Sequence, residues 1–447
     1  MGTQGRRGRR KRRKKDAQGV TLCHELQFAD LRRWLKLRGF RSKVLVPAQF
    51  KNTGRGLMST ESIKANDVMI ALPESCLLTT RTVLKSYIGE YLKRWMPPVS
   101  PLLALCVFLI SERHFARSSE WWPYISVLPQ TYTCPVYFSD SVMNLLPSGL
   151  RTKAVKQRQQ VKELHESSAA FFTSLQPLFS QPMAGIFSYD ALRWAWCSVN
   201  TRTVYMRHDQ SPYLSTEPDV YALAPYLDLL NHCPDVQVEA GFSPVSGCYE
   251  VRSVQGCRRF HQAFICYGPH DSQRLLLEYG FVAPGNPHAV VYVGHDTLKL
   301  CFDTKDRQLS QKMLFLKENG FLVNLTFSLE GPSWRLMTAL RLLSLKPDQY
   351  DLWKSVLLGA AVSQDREKWS IQKAQMLCQL LLEESIHALE ELADLKEGTD
   401  SSLKNQLAVV ESLRHEEKAI LGCSQEMLGI QRQQLPCLRA TTHNQAD

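Results

Sequence analysis

The sequence predicts an α+β protein in which a β-rich core is split by a helical insertion and followed by a helical domain. At 447 residues the chain is too long for one ordinary hydrophobic core. Short β-like segments broken by Gly and Pro occur in two separate blocks, at 44–78 and 223–292. Between these blocks, and again after residue 309, apolar residues recur every three or four positions, which is typical of helices.

These patterns divide the chain into five segments. The predicted segments are a basic tail at 1–20, an N-terminal helical segment at 21–46, a β-rich domain at 47–293 with its insertion at about 95–195, a helical domain at 300–430 and a loose tail at 431–447. Helices are predicted at 26–39, 83–95, 102–114, 150–175, 189–199, 336–345, 374–395 and 403–420. Strands are predicted at 54–58, 68–73 and 249–254, and the Pro-punctuated stretch 122–129 is predicted to be a connector.

The composition is that of a soluble globular protein, with 44% apolar and 22% charged residues. No stretch approaches the ~18–20 uninterrupted apolar residues that a membrane helix needs. The longest apolar run, Leu102 to Ile110, continues directly into a charged segment and is predicted to be a buried helix. The sequence therefore predicts no membrane partner.

Most of the net charge of +11 lies in one short segment. Nine Lys and Arg residues occur between Arg6 and Lys15, and without them the net charge falls to about +2. Such a run repels itself, has no apolar residues to bury, and binds polyanions or a nuclear import receptor. We therefore expect a disordered tail and a protein of the nucleus and the cytoplasm (cytosol). Direct contact with nucleic acid and a merely solvated tail are the alternatives.

Thirteen cysteines are scattered singly along the chain, and none forms a CxxC or CxC pair. The ligand spacing of zinc ribbons and clusters is therefore missing, and no metal is expected. An odd number of cysteines without a secretory signal favours reduced thiols in the cytosol or the nucleus.

The most informative features are three short motifs in the second β-like block. Asn231-His232 ends an apolar run, Tyr267-Gly268 follows thirty-five residues later, and Tyr279-Gly280-Phe281 comes next. Amide and imidazole groups can hold an adenine ring, and a phenol can lie over an attacking amine. A lone His or Tyr is more often a hydrogen-bonded core residue, but three such motifs in this order favour a methyl-transfer site.

In combination and order, these motifs resemble those of the SET-domain protein methyltransferases, and within them the subgroup that includes Rubisco large-subunit lysine methyltransferase. The resemblance extends from about Pro47 to Leu421 and is most specific in the catalytic half. It implies a β-rich knotted SET fold (β-clip), split by a helical insertion and followed by an α-helical C-terminal substrate-binding domain. It also implies S-adenosylmethionine as the cofactor and a protein as the substrate. Many SET enzymes that act on chromatin close the site with a cysteine-rich zinc module, which this chain lacks.

The resemblance also implies the residues that contact the cofactor. The Gly54-Arg55-Gly56 turn would approach the methionine part through its backbone, where a Cβ would interfere. Arg202 would place its guanidinium fork on the methionine carboxylate. Asn231 and His232 would lie against the adenosine, and Asp228 would support the same region. Taken alone, a GxG triplet is usually an ordinary turn, and an Arg at a helix end usually satisfies terminal carbonyls.

Tyr267 is predicted to be the catalytic residue, because in the family a phenol at this position holds the amine in line with the transferred methyl group. A phenol with its ordinary pKa of about 10 is a poor base at neutral pH, so whether Tyr267 also takes the proton stays open. Tyr279 is predicted to act with it by narrowing the lysine channel, and Phe281 to stack near the cofactor. The related actin-histidine methyltransferase lacks a tyrosine at the position of Tyr279, so its presence favours lysine as the acceptor.

The leading prediction is therefore an S-adenosylmethionine-dependent protein-lysine N-methyltransferase that acts as a monomer on histone or non-histone proteins. Two alternatives remain, namely methylation of another side chain such as histidine and a non-catalytic module that docks on chromatin. The sequence departs from the family pattern at Thr53, where close relatives often have an acidic residue near the cofactor's amino group.

Overall fold

The computed structural model describes residues 19–42, 44–303, 305–396 and 401–434, which form two compact units. The first unit contains the described residues up to 137 together with 156–270 and 278–283, and the second contains 138–155, 271–277 and the remainder. Each unit has its own hydrophobic core. None of the described helices is long and apolar enough to cross a membrane. The basic segment Arg6–Lys15 lies outside the described residues, so the predictions for it stay predictions.

The first unit contains ten short strands. They are β1 (Val20–Thr21), β2 (Leu45–Phe50), β3 (Gly54–Ser59), β4 (Val68–Pro73), β5 (Thr203–Tyr205), β6 (Tyr221–Leu223), β7 (Asn231–His232), β8 (Val238–Ser243), β9 (Cys248–Ser253) and β10 (Gln262–Ile265). The strands predicted at 54–58, 68–73 and 249–254 are thereby confirmed as β3, β4 and β9.

Three sheets arise from these strands. Five strands form one sheet in the order β1-β2-β3-β10-β7, three form a sheet in the order β4-β9-β8, and β5 pairs with β6. The β7–β10 pair is parallel, with Phe264 opposite Asn231 and Ile265 opposite His232, whereas the other pairs of these strands are antiparallel. Two predicted site motifs therefore lie at the ends of neighbouring strands that run in the same direction.

Helices make up most of the remaining described chain. In chain order they are α1 (Leu26–Leu37), α2 (Thr80–Lys85), α3 (Gly89–Arg94), α4 (Pro101–Phe115), α5 (Trp122–Ile125), α6 (Asp140–Asn144), α7 (Ser148–Ser167), α8 (Ala169–Ser174), α9 (Met183–Ile186), α10 (Tyr189–Arg202), α11 (Ser272–Tyr279), α12 (His295–Lys299), α13 (Leu309–Glu318), α14 (Trp334–Ser344), α15 (Trp353–Leu357), α16 (Gln364–Lys396) and α17 (Ser401–Gln434). Residues 431–434, which were predicted to be loose, belong to α17.

Local sequence explains the first-unit helices. In α1 the apolar residues Phe28, Leu31 and Trp34 are spaced by three and are buried, and the chain leaves the helix through Gly39 at φ +89°. In α4 the Ser100 hydroxyl accepts a hydrogen bond from the Leu103 backbone N–H at 3.2 Å, which caps the helix start. The buried helix predicted from the run at 102–110 is confirmed as the central part of α4.

Three predicted elements need correction. The single helix predicted at 150–175 is divided at Ser168 into α7 and α8. The single helix predicted at 83–95 is divided into α2 and α3, because Ser86 has an extended ψ of 178° and its hydroxyl accepts from the Ile88 N–H at 3.3 Å. The stretch 122–129 is not wholly a connector, since it begins with the short helix α5. Pro123 lies in the first turn of α5, where a missing N–H does no harm.

The second unit is built around long helices. Apolar side chains of α14, α16 and α17, among them Leu340, Leu377 and Leu421, form its core together with a three-stranded sheet. That sheet has the order β11-β12-β13, with β11 at Val291–Tyr292, β12 at Thr326–Ser328 and β13 at Gly331–Pro332. The three helices confirm the amphipathic runs predicted at 336–345, 374–395 and 403–420.

Candidate active site

The parallel pair β7–β10 brings two of the predicted motifs into direct contact. The chain leaves β10 through Cys266 and reaches Tyr267, whose backbone N–H donates a hydrogen bond to Nδ1 of His232 at 3.0 Å. Since Nδ1 accepts this bond, a neutral His232 ring carries its proton on Nε2. The strand pairing therefore fixes both the position of Tyr267 and the tautomer of His232.

The aromatic residues of the three motifs form one cluster. The centroid of the Tyr267 ring lies 5.0 Å from that of Tyr279, 5.3 Å from that of His232 and 6.1 Å from that of Phe281. The rings of His232 and Phe281 are 5.9 Å apart. These separations fall in the range of favourable aromatic contacts. The three motifs predicted to share a site are thus brought together around Tyr267.

The hydroxyl of Tyr267 has a fixed direction. It donates to the backbone carbonyl of Leu230 at 2.8 Å. Burial raises the pKa of Tyr267 to about 12, although the positive charge of Arg202 acts in the opposite direction. The phenol is therefore neutral at pH 7 and cannot act as the general base for a lysine ammonium.

Gly280, which lies between Tyr279 and Phe281, packs closely against the chain at Thr133 and Cys134. Its φ is +79°, and a Cβ at this position would lie 2.7 Å from the backbone nitrogen of Cys134. The Thr133 hydroxyl donates to the Gly280 carbonyl at 2.5 Å. Only glycine allows this close packing, so position 280, between the two aromatic residues, requires glycine for structural reasons.

A buried electrostatic cluster lies beside the aromatic residues. Arg202, at the end of α10, donates to the backbone carbonyl of Asp228 at 2.9 Å. The Asp228 carboxylate accepts from the Tyr124 hydroxyl at 3.0 Å. Burial raises the pKa of Asp228, while Arg202 and the Tyr124 hydrogen bond oppose that shift. Burial lowers the pKa of Arg202, but the charge of Asp228 and the neighbouring tyrosines outweigh it, so Arg202 stays protonated.

Arg55 belongs to the same cluster. Its guanidinium donates to the Val127 carbonyl at 2.7 Å. Burial and the nearby charge of Arg202 lower the pKa of Arg55. Two arginines and one carboxylate leave this region net positive, which favours an anionic group such as a ligand carboxylate.

The Gly-Arg-Gly turn is held by the side chain of Asn231. Its amide nitrogen donates to the Arg55 carbonyl at 2.9 Å and, more weakly, to the Thr53 carbonyl at 3.4 Å. Gly54 lies at φ +71° with open space where a Cβ would point, so the requirement for glycine there is conformational. Asn231 thus positions the turn in addition to any contact it makes with a ligand.

Gly56 is crowded by protein atoms. A Cβ there would lie 2.5 Å from Nε2 of Gln262 and 2.9 Å from Nδ2 of Asn231. The Thr53 hydroxyl donates to Oε1 of Gln262 at 2.8 Å. Nε2 of Gln262 is buried and makes no hydrogen bond within the described part of the chain. A Cβ at this position would therefore require the ends of these two amide side chains to move.

A cavity of about 300 Å³ opens beside Tyr267. Arg202, Asp228, Tyr267 and Tyr279 line one part of it, and residues of β5, β8 and β9 line the rest. Within the described ranges, no group of three or more His, Cys, Asp or Glu side chains is arranged to hold a metal ion.

Sequence reasoning missed three contributors to this site. Tyr124 binds Asp228 from 104 residues away, Gln262 packs against Gly56, and the ring of His270 stacks on Tyr279 at 6.1 Å. Tyr124 and Gln262 carry no local signal, because their relevance arises only when distant segments meet. His270 is close in sequence to Tyr267, and that proximity is the one sign that could have drawn attention to it.

The residues fit a sulfonium nucleoside with an amino-acid tail. Arg202 offers a guanidinium to a carboxylate, and the aromatic cluster offers ring faces to an adenine and to a positively charged sulfur. The unused buried donor on Gln262 lies next to the turn at Gly56, as expected where a polar ligand would supply the acceptor.

Comparisons with known proteins agree with this architecture. The Rubisco LSMT substrate-binding family matches residues 303–421. SET domain-containing protein 4 of Mus musculus is 52% identical over 412 residues, covering 92% of this chain and 94% of the relative. The Homo sapiens protein of the same name is 51% identical over 413 residues, with the same coverage. A solved structure of the SET domain of LSMT bound to lysine and AdoHcy aligns with a TM-score of 0.63 at 22% identity, covering 92% of this chain and 93% of the other.

The fold and the site therefore define a SET-domain methyltransferase of the Rubisco large-subunit methyltransferase subgroup, a class that uses S-adenosylmethionine as methyl donor. The identity across nearly the whole chain shows that the protein belongs to the SET domain-containing protein 4 family.

Proposed function

We propose that this protein is an S-adenosylmethionine-dependent protein-lysine N-methyltransferase, with Tyr267 and Tyr279 at the acceptor site. The observation that carries the proposal is the placement of Tyr267. Its backbone is fixed by His232, its hydroxyl is fixed by the Leu230 carbonyl, and its ring packs against Tyr279 at the wall of a cavity.

The residues that would hold the cofactor are Arg202, Asn231, His232, Phe281 and the turn at 54–56. Arg202 matches the carboxylate, and the turn supplies backbone groups to the methionine part. When bound, S-adenosylmethionine supplies an electrophilic methyl group attached to sulfur. The chain's contribution is to orient the acceptor and to exclude water from it.

Tyr267 orients rather than ionises. Because its hydroxyl is engaged with Leu230 and its pKa is raised to about 12, the phenol keeps its proton at neutral pH. The nearby charge of Arg202 disfavours a second cation in the same buried region. The site therefore selects the neutral form of an entering amine, whose lone pair is required for attack.

Tyr279 supports lysine as the acceptor. The ring of Tyr279 lies against both Tyr267 and Phe281 and forms part of the cavity wall. A ring at this point occupies part of the cavity wall, which favours an unbranched alkyl chain over a planar imidazole as the entering side chain.

The decisive experiment combines binding with acceptor identification. Purified full-length protein is titrated with S-adenosylhomocysteine by calorimetry, and then incubated with tritiated S-adenosylmethionine and a proteome extract, with mass spectrometry of the labelled peptides. The Tyr267→Phe variant serves as the matched control. We expect both proteins to bind S-adenosylhomocysteine. We expect the wild type to transfer tritium to lysine ε-amines and Tyr267→Phe to transfer much less.

Each other outcome decides between the alternatives. Label on histidine would overturn the lysine assignment and keep the enzyme class. Binding without any transfer would favour a non-catalytic module. Equal labelling by wild type and Tyr267→Phe would overturn the proposed role of Tyr267.

We also propose that the protein acts on histone or other nuclear proteins as well as cytosolic ones, as a monomer. The support is the run of nine basic residues between Arg6 and Lys15, which suits an import receptor. Replacing these nine residues by Gln in a fluorescent fusion should move the protein to the cytoplasm, while turnover on a short peptide is retained. An unchanged nuclear fraction would refute the import role.

A further inference from the structure

A second cavity in the first unit shares no lining residue with the cavity beside Tyr267 and has a cationic rim. It measures about 430 Å³ and is bordered by residues of α1 and of the segment that follows it. Four positively charged side chains line it, Arg32, Arg33, Lys36 and Arg41, and no acidic side chain does. All four are exposed to solvent.

These charges are poorly neutralised. Among the described residues, only Arg33 of the four has an acidic partner within ion-pair distance, Asp30 at 3.9 Å on the exposed helix face. Such a pair is weak in solvent. Four clustered cations with one marginal counter-charge make a positive potential that attracts polyanions.

The wall of the cavity beneath this rim is rigid. The Tyr226 hydroxyl donates to the Leu45 carbonyl at 2.6 Å, and the Ser42 hydroxyl donates to the same carbonyl at 2.7 Å. The rings of Phe40 and Tyr226 pack edge to face with centroids 5.4 Å apart. The segment that carries Arg41 is therefore held against the sheet rather than being a loose loop.

A cationic and aromatic loop lies next to this segment. Arg259 donates through Nε to the Thr60 carbonyl at 2.9 Å, and the Thr60 N–H donates to the Val44 carbonyl at 2.8 Å. Val44 follows the cavity-lining segment by two residues. Two hydrogen bonds thus connect Arg259 to the edge of the cationic cavity.

Phe260 gives this loop an exposed aromatic ring. Phe260 is 40% exposed as a residue, and the Arg259 guanidinium lies 4.4 Å from the centroid of its ring. Phe260 has φ +63°, an unfavourable conformation for a bulky residue, and its N–H donates to the Ser59 carbonyl at 2.7 Å. A fixed, exposed ring beside Arg side chains is the arrangement on which an unpaired base can stack.

We propose that this surface, comprising Arg32, Arg33, Lys36, Arg41, Arg259 and Phe260, binds single-stranded nucleic acid. The cations contact successive phosphates, and Phe260 stacks on one base. A nuclear import receptor would need only the tail, and an acidic protein would need no exposed ring. The combination of the cationic rim with the exposed ring of Phe260 favours single-stranded nucleic acid over an import receptor and over an acidic protein.

The test is fluorescence anisotropy with labelled fifteen-nucleotide oligo(U) and oligo(dT), using the full chain. One variant carries Arg32→Gln, Arg33→Gln, Lys36→Gln and Arg41→Gln. The matched control carries four exposed lysines from elsewhere replaced in the same way, Lys85→Gln, Lys317→Gln, Lys368→Gln and Lys418→Gln. Both variants are made with the tail intact and with its nine basic residues replaced by Gln. Thermal melts of each verify that the fold is kept.

We expect the rim variant to bind at least about tenfold more weakly than the control in both backgrounds. The slope of log affinity against log salt should shrink by ~2.8, because each lost phosphate contact on a single strand contributes ~0.7. Rim and control variants with equal affinity and equal slope would overturn the proposal. Whether oligo(U) or oligo(dT) binds more tightly distinguishes RNA from DNA as the source of the strand.

Phe260→Leu tests the stacking part separately. This variant keeps an apolar side chain and all the charges, and we expect affinity to fall about fivefold to a hundredfold on the base-containing strand. An abasic strand of equal length should bind wild type and Phe260→Leu equally. Competition by poly-glutamate as effective as that by oligo(U) would overturn nucleic acid as the partner and leave a general polyanion surface.

Discussion

The removal of one oxygen atom in Tyr267→Phe tests the proposed chemistry most directly. The ring contacts with His232, Tyr279 and Phe281 do not involve that oxygen and should be kept. What is lost is the 2.8 Å hydrogen bond to the carbonyl of Leu230, a buried residue. A buried acceptor deprived of its partner costs ~1–3 kcal/mol.

The free-energy cost of losing this hydrogen bond sets the expected decrease in the methyl-transfer rate. If it falls on the transition state, where the phenol must hold the amine in line, the methyl-transfer rate drops roughly fivefold to 150-fold at ~1.36 kcal/mol per factor of ten. Affinity for S-adenosylhomocysteine should change little, since Arg202, Asn231 and His232 are untouched. The measurements are single-turnover transfer of tritium to a labelled acceptor protein and calorimetric titration.

Tyr226→Phe is the matched control. It removes the same atom from another buried tyrosine, whose hydroxyl donates to the Leu45 carbonyl at 2.6 Å. It should lower the free energy of unfolding by a comparable or smaller amount, because Ser42 also donates to that carbonyl. Its turnover should stay at the wild-type rate. If Tyr267→Phe also transferred methyl groups at the wild-type rate, Tyr267 would not be the orienting phenol and Tyr279 would take that role.

Three further predictions follow from the same structure. Asn231→Ala removes the hydrogen bond to the Arg55 carbonyl and should weaken S-adenosylhomocysteine binding about fivefold to 150-fold, corresponding to ~1–3 kcal/mol; calorimetry showing unchanged affinity would contradict it. Since burial raises the pKa of Tyr267 from 10.0 to about 12, its neutral form stabilises the fold fully below pH 10 and that stabilisation is lost as the pH rises through 12. Ultraviolet titration of phenolate should therefore show no difference between wild type and Tyr267→Phe below about pH 11, and an extra wild-type transition near pH 10 would refute the shift. A fragment comprising residues 1–300 lacks α14, α16 and α17, which cover apolar residues such as Leu298, and should be aggregated by size-exclusion chromatography. A soluble and active fragment would show that the site does not need α14, α16 or α17.

Much of the fold could be predicted because its signals are local. The spacing of Phe28, Leu31 and Trp34 specifies α1, and the long amphipathic runs specify α14, α16 and α17. The wrong prediction of one helix at 83–95 also has a local cause. The break at Ser86 depends on one hydroxyl that competes with the helical hydrogen bonds, and periodicity of apolar residues does not register it.

The sequence by itself indicated the three motifs that the structure brings together, Asn231-His232, Tyr267-Gly268 and Tyr279-Gly280-Phe281, but it contained no sign of Tyr124 or Gln262. The tertiary structure decided what each does. The amide of Asn231 holds the turn at 53–55, and Gly280 is required because the chain at Thr133 and Cys134 passes within contact distance.

The physical reason is separation along the chain. Asp228 and Tyr124 are 104 residues apart, and the Asn231 amide reaches the Arg55 carbonyl across 176 residues. Hydrogen bonds of this kind leave no periodicity in either partner segment, since each residue needs only one contact rather than a repeated face. They form only after helices and strands with local signals have packed, and for that reason the three motifs could be read from the sequence while their distant partners and the geometry of the site required the folded chain.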